Sequence, residues 1–230
     1  MYFQHAEAVR SAFPDLAAMA ITTTGITPDA DVDEQVARFT AVAHSRLAGG
    51  TESDLAEIKA WRQAFSKMGL KPTQYRCASE ALLRRLRKEG ELPRIHPLID
   101  LCNAVSVAYA IPVAALDLDQ ISGDLEVRHA TGEELYDTFA GTTENPEPGE
   151  VIFADSAGRS HARRWTNRQS GLSAIRPETS RVLIVAEALH ESASEDIGAL
   201  MKTLVDELAA AWEVTPACAV LSAAAPRFEA

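Results

Sequence analysis

The chain has 230 residues, 47% of them hydrophobic and 24% charged, with a formal net charge of −11. That length suits one large domain or a smaller domain with an extension, and the composition is that of a globular, soluble chain. The acidic balance argues against a general nucleic-acid coat protein while leaving room for a local basic patch.

Three cysteines, Cys77, Cys102 and Cys218, lie far apart with no CxxC and no metal-like Cys/His spacing, which points to reduced thiols in a cytoplasm, each acting as a small buried hydrophobe. Glu7, Arg10 and Asp15 interrupt the amino-terminal stretch before the apolar core of a secretory leader can form. The uncharged run between Asp100 and Asp117 is too short to span a bilayer and contains Pro112. A cytoplasmic chain without a membrane partner is expected.

In chain order, the first half reads as helical. Tyr2-Phe3-Gln4 has the look of a protease-cleavage remnant, and no expectation rests on it. Asp31 and Glu34 have the spacing of a capping box. Val36, Phe39, Val42, Ala43 and Leu47 then share a helical face, and Gly49-Gly50 stops the helix. Ser53 is placed to cap a second helix, with Leu55, Ile58, Trp61, Phe65 and Met68 on its face and Gly69 at its end. A third starts near Ser79-Glu80, carries Leu82, Leu83 and Leu86, and stops before Gly90.

The stretch Arg94 to Asn103 is the most informative. Pro97 suits the first turn of a helix, where its missing N–H costs nothing, and the helix is predicted to run to about Tyr109, before Pro112. His96, Asp100 and Asn103 fall on one face, with Leu98, Ile99, Leu101, Val105 and Ala108 over most of the rest. A polar stripe on an otherwise buried helix needs partners, because an unsatisfied buried polar group costs roughly 1–3 kcal/mol. Core pairing and a ligand site both meet that need.

The period then changes. Val113 to Leu118 is a short apolar run, and Leu125 to His129 alternates as a half-exposed strand does. Asn145 to Gly149 is a loop, Val151 to Ala154 a strand, Asp155 to Gly158 a turn, and Arg159 to Trp165 the return of a hairpin. Val182 to Ala186 reads as a buried strand. Ser194, Glu195 and Asp196 open a last amphipathic helix through Ile197, Leu200, Met201, Leu204, Leu208 and Trp212, with a negative first turn that suits the helix dipole. The tail from Thr215 is read as loosely held. The fold class is therefore α+β: a helical amino-terminal part, a central mixed β-sheet with flanking helices, and a carboxy-terminal amphipathic helix. The expected division is residues 1–70, 71–190 and 191–230, the last packed on the same domain as the second.

Two clusters of basic residues stand out. Arg76, Arg84, Arg85, Arg87 and Lys88 lie on or before the third helix, and Arg159, Arg163, Arg164 and Arg168 on the hairpin return, with His161 among them. They form either a phosphate-binding surface or solvated faces that neutralise nearby acids. Trp165, Asn167, Arg168 and Gln169 suit stacking on a base and bonding to its edges. They equally suit a loop with Trp165 in the core and Arg168 at the surface. Glu187 ends an apolar strand, so its carboxylate needs an arginine or a cationic ligand group. Asp117 and Asp119 are read as turn or capping residues, and no metal is expected. His5, His44, His129, His161 and His190 lack catalytic company and are expected mostly at the surface, and His96 suits a helix cap better than a base. GxSxG, P-loop and GxGxxG motifs are all missing.

Pro72-Thr-Gln-Tyr75-Arg76, Leu92-Pro-Arg94-Ile-His96-Pro-Leu-Ile-Asp100-Leu-Cys-Asn103, Ile111 to Asp119, Gly149 to Asp155 and Val182 to Glu187 occur in an order that resembles the B3/B4 domain, the editing domain of the bacterial phenylalanyl-tRNA synthetase β subunit, over about residues 60–190. The resemblance implies a free-standing trans-editing factor that hydrolyses the ester of a mischarged tRNA with a positioned water and no cofactor; some such relatives are associated with canavanyl-tRNA. It implies that Asn103 is the editing asparagine and Glu187 the side-chain-reading glutamate, with His96 as a further catalytic group. Arg94, Trp165, Asn167, Arg168 and Gln169 would bind substrate, and Arg76, Arg84, Arg85, Arg87, Lys88, Arg163 and Arg164 would touch the tRNA. DNA is not an expected partner. One departure is clear: the family's histidine two residues after the proline of the Pro112 segment is Ala114 here. That departure motivates an alternative, a module that binds an amino acid or a tRNA end without hydrolysing it.

Overall fold

Val182–Ala188 is buried at every position, so this strand needs cover on both faces. The computed structural model, which describes residues 1–222 and 224–229, supplies it with a second sheet on one side and helices on the other.

The elements in chain order are β1 (Tyr2–His5), α1 (Glu7–Ala12), β2 (Ala17–Thr23), α2 (Asp33–Leu47), α3 (Ala56–Lys67), α4 (Ala78–Glu89), α5 (Pro97–Tyr109), β3 (Val113–Asp117), β4 (Leu125–His129), β5 (Tyr136–Asp137), β6 (Thr143–Glu144), β7 (Val151–Asp155), β8 (Ser160–Arg163), β9 (Arg168–Gln169), β10 (Val182–Ala188), α6 (Ala193–Trp212), β11 (Ala217–Leu221) and β12 (Arg227–Glu229). One sheet has the order β12-β1-β4-β7-β8-β9 and the other β11-β2-β10-β3, while β5 and β6 form a small hairpin of their own. The second sheet is antiparallel throughout. In the first, only β1 and β4 run parallel.

Side chains alternate across a strand, so Leu183, Val185 and Glu187 share one face of β10 and Val182, Ile184 and Ala186 the other. Glu187 reaches His5 of the six-stranded sheet, which places the first face between the sheets. Helix α6 packs on β2, β10 and β11, α5 on β3, and α2 on α5. The α+β class expected from sequence holds, with the helices α2 to α5 in the first half as predicted.

Local chemistry explains the α5 boundaries. His96 is the N-cap, its Nδ1 accepting from the Leu98 amide at 3.2 Å, with Pro97 in the first turn. The chain leaves the helix at Ala110 with φ of 57°, and Ser106 Oγ donates to the Ile111 carbonyl at 2.6 Å.

Several expectations are corrected. The first 23 residues contribute β1 and β2, interior strands of the two sheets, ahead of the helices. Helix α2 starts at Asp33 without a side-chain cap, and Asp31 accepts from the Asp33 amide instead of forming a capping box. Thr51, not Ser53, makes a capping box, with Asp54 on a single 3-10 turn before α3. The tail is built in, since β11 pairs with β2 and β12 with β1; Ala223 and Ala230 of that tail lie outside the described residues. Cys77 and Cys102 are buried, but Cys218 is exposed on β11. His5, His161 and His190 are buried beside Glu187, Asp155 and Asp196, so only His44 and His129 are surface histidines of the five.

Candidate functional site

A cavity of about 80 Å³ lies between the two sheets and is closed by the start of α4. Its apolar wall comes from Val113, Ala114, Leu116 and Val185 on one sheet and Phe153 and Ala162 on the other. The cavity is well above the ~10–15 Å³ that one water needs. Thr166, Asn167, Arg168 and Gln169 lie along its polar side, with Trp165 and Glu187.

Glu187 is 2% exposed. Its Oε1 accepts from His5 Nε2 at 2.5 Å and from Trp165 Nε1 at 2.8 Å. Its Oε2 has no hydrogen bond among the described residues and is not sealed from solvent. The expected buried carboxylate is thus present, but its partners are a histidine and an indole rather than a directly bonded arginine. Arg10 stands behind, with Nη2 3.5 Å from His5 Nδ1. Burial lowers Arg10 below the ordinary guanidinium value, and the charge of Glu187 works against that lowering.

Trp165 sits in the turn between β8 and β9. It is fully buried and meets Phe13 and Trp61 edge-on, with ring centroids 4.9 and 5.0 Å away. Arg164 and Trp165 both have positive φ, 48° and 57°. Such non-glycine residues cost of order 1–3 kcal/mol each and persist where surrounding contacts over-determine them. Here the indole is held by two aromatic rings and by Glu187. The turn is tied to α4 by the Ala78 amide on the Thr166 carbonyl at 2.8 Å and by Asn167 Nδ2 on the Arg76 carbonyl at 2.7 Å. Gln169 Nε2 donates to the Ala115 carbonyl at 2.8 Å. Trp165 in the core and Arg168 at the surface is the simpler arrangement weighed from sequence, yet both also line the cavity.

The polar stripe of α5 resolves into core pairing for two of its three members. Asp100 accepts from the Ile95 amide at 2.8 Å and pairs with Arg94 Nε at 3.1 Å. His96 is spent on the cap, and its Nε2 is buried without a partner. Burial lowers its pKa, with Asp100 acting the other way. Asn103 is half-buried and makes no side-chain hydrogen bond among the described residues. His96, Asn103 and Arg94 do not belong to the cavity wall, so the structure does not gather them with Glu187. Arg94 instead bonds Asp33 on α2.

The basic clusters are mostly neutralised. Arg84 and Arg87 bond the buried Glu52, and Arg85 pairs with Glu89. Arg76 lies 3.5 Å from Glu80. Arg163 is 4% exposed and bonds both Glu150 and Glu144, so it is corrected from a tRNA contact to a core residue. Arg159 pairs with Asp137. Lys88 is exposed without an ion pair among the described residues. Arg164 lies over the Tyr75 ring at 4.8 Å, and Arg168 over Tyr136 at 5.4 Å and 3.5 Å from Glu144. The two clusters meet at one end only: the Arg76 carbonyl bonds Asn167 of the 164–168 turn, while Arg84 and Arg87 lie roughly 9 and 14 Å beyond Ala78 along α4 at about 1.5 Å per residue.

No serine, cysteine, lysine or histidine lines the cavity; its hydroxyl is that of Thr166, whose Oγ1 is buried without a partner among the described residues. Burial pushes the Cys77 and Cys102 thiols up to about 12, and neither lines the cavity. No group of three His, Cys, Asp or Glu residues that could hold a metal occurs among the described residues. Ala114, where the synthetase motif has histidine, is part of the wall and leaves space there.

Residues 60–202 match the B3/4 domain. The chain belongs to the B3/4 domain family. Among curated proteins it is similar to the phenylalanine–tRNA ligase beta subunit of Shewanella oneidensis, 33% identical over 73 residues, which are 32% of this chain and 9% of that one. The corresponding subunit of Tropheryma whipplei is 30% identical over 111 residues, 48% of this chain and 11% of that one. The matched stretch thus spans about a tenth of those relatives. An amino-terminal fragment of the phenylalanyl-tRNA synthetase beta subunit from Pyrococcus horikoshii shares the fold, with a TM-score of 0.50 and 9% identity over 93% of this chain and 49% of that one. That coverage is wider than the family match. The cavity residues, Ala78 through Glu187, all lie within the B3/4 segment, whereas His5 and Arg10, which stand behind Glu187, come from outside it and were missed in the sequence, where no local pattern marks them.

Proposed function

We propose that this B3/4 protein is a trans-editing deacylase that removes an amino acid from a mischarged tRNA. The observation that supports it best is the state of Glu187: one oxygen held by two N–H donors, the other unused at the edge of a small, largely apolar cavity. An amino acid placed there would bury its carbon atoms against Val185, Leu116 and Phe153 and offer a donor to Oε2. Water then attacks the ester carbonyl, the bond to the ribose oxygen breaks, and free amino acid and tRNA leave. Such a reaction needs positioning and stabilisation of the developing oxyanion more than a strong nucleophile, which is consistent with a wall lacking one. Arg168 and Arg164 at the rim, with Lys88 and Arg85 further along α4, are the proposed phosphate contacts. Asn103 keeps the editing role implied by resemblance as part of this proposal.

The test is incubation with a panel of mischarged tRNAs, canavanyl-tRNA included. Release of one amino acid is expected, and release of none ends the deacylase reading. Asn103→Ala is expected to slow release; an unchanged rate removes α5 from the site. Ala114 in place of the family's histidine favours a second reading, binding without hydrolysis. Thermal stabilisation by a free amino acid, with no ester cleaved across the panel, would select it.

A further inference from the structure

We propose that His5, backed by Arg10, is the positioning residue that fixes the Glu187 carboxylate, so that the cavity reads its ligand through Oε2 alone. The inference rests on the proposed amino-acid-reading role of Glu187. It deepens that role, because both residues lie outside the B3/4 segment of 60–202 and belong to β1 and α1.

The geometry is directional. Arg10 Nη2 is 3.5 Å from His5 Nδ1, and His5 Nε2 is 2.5 Å from Glu187 Oε1. A guanidinium has donors and no acceptor, so Nδ1 accepts, and the ring hydrogen sits on Nε2, aimed at the carboxylate. The Phe3 ring lies edge-on to the imidazole at 5.4 Å. On the outer side His5 and Arg10 border an open groove with Gln4, Glu7, Glu126 and Arg227, and none of these four bonds the imidazole. Trp165 Nε1 donates to the same Oε1 from the β8–β9 turn of the sheet that carries His5. The terminal torsion of a glutamate is broad, so an unsupported carboxylate could rotate its plane and carry the free oxygen away from the cavity. Two donors converging on Oε1 remove that freedom.

The consequence is a statement about ligand class. The side-chain amides of Asn167 and Gln169 donate to backbone carbonyls, and their oxygens and the Thr166 hydroxyl are neutral acceptors without partners among the described residues, so Oε2 is the one carboxylate oxygen on the cavity lining that is free to accept. The amino acid it accepts combines a hydrocarbon body with a terminal N–H or O–H donor.

Two measurements on the full chain test this. With 15N-histidine labelling, NMR is expected to show His5 with its hydrogen on Nε2, a signal assigned by its loss in His5→Gln. Arg10→Met and Glu187→Gln should each shift it. An Nδ1–H form, or a His5 signal unmoved by both variants, overturns the proposal. On a mischarged tRNA that the wild type cleaves, His5→Leu is expected to raise KM about 10- to 100-fold with kcat less affected, the scale seen where a group that orients a metal ligand is removed. His5→Gln, which keeps a donor near the Nε2 position, should recover most of that loss. Equal losses in both variants, or losses that follow only Tm, overturn it. If no tRNA is cleaved at all, the deacylase reading fails, and the NMR result still decides the placement of His5.

Discussion

Trp165 donates a 2.8 Å hydrogen bond to Glu187, joining the β8–β9 turn of one sheet to the end of β10 in the other. Both side chains are buried, and Trp165 takes a left-handed backbone conformation to reach the carboxylate. The bond joins two residues of the cavity lining and ties the cavity to the aromatic core.

Glu187→Gln should therefore separate function from stability. The amide keeps an oxygen for the His5 and Trp165 donors, so Tm should change by only a few degrees. Deacylation should fall about 100-fold or more if Glu187 selects the substrate's donor as proposed. Single-turnover release from a mischarged tRNA measures it; full activity in the variant contradicts the assigned role.

Arg163 and Lys88 should behave oppositely, although both were basic-cluster residues in the sequence. Arg163→Ala leaves the buried Glu150 without its arginine, and breaking a buried pair of this kind costs about 3–5 kcal/mol. Chemical denaturation should show that loss. Lys88→Ala should leave stability unchanged and reduce the salt dependence of tRNA binding by about one unit of slope. Arg85→Ala, already paired with Glu89, should only weaken tRNA binding.

Glu134 supplies a pH dependence. Burial would raise its carboxyl, but the Arg128 hydrogen bond and the Thr131 amide outweigh that and bring it down to about 2. A carboxyl whose folded pKa is depressed stabilises the fold above its unfolded value. Its contribution is lost as the pH falls from about 4.5 toward 2, with a slope of up to about 1.4 kcal/mol per pH unit. Denaturant titrations across that window should show a shallower acid limb for Glu134→Gln than for the wild type.

Ala114→Leu should close the cavity from the β3 side. Added carbon atoms would occupy the space beside Val185, its cross-strand partner. Stability should change by no more than about 1–3 kcal/mol, the usual range for added core volume. Deacylation, or thermal stabilisation by a bound amino acid, should disappear. A variant that still turns over at the wild-type rate would place the site elsewhere.

Much was legible in the residues. The helical repeats of α2 to α6, Pro97 at a helix start, the alternation of Leu125 to His129 and the apolar run into Glu187 are local signals, set by side-chain period and backbone propensity. The need of Glu187 for a buried partner was also legible, because desolvating a carboxylate has a cost wherever it occurs. The first strands were not: Ala17 to Thr23 does not alternate, since β2 is covered on both faces, and such a run has no period to read. Nor could the sequence separate Arg163 from Lys88, because a charged residue carries no local mark of whether an acid from another strand will reach it.

The sequence by itself determined the element types, the B3/4 resemblance and the presence of a carboxylate at the end of a hydrophobic strand. Only the tertiary structure decided which groups meet that carboxylate. His5 and Glu187 are 182 residues apart. They come into contact because two sheets pack face to face, and sheet packing depends on long-range pairing that no local stretch of sequence encodes.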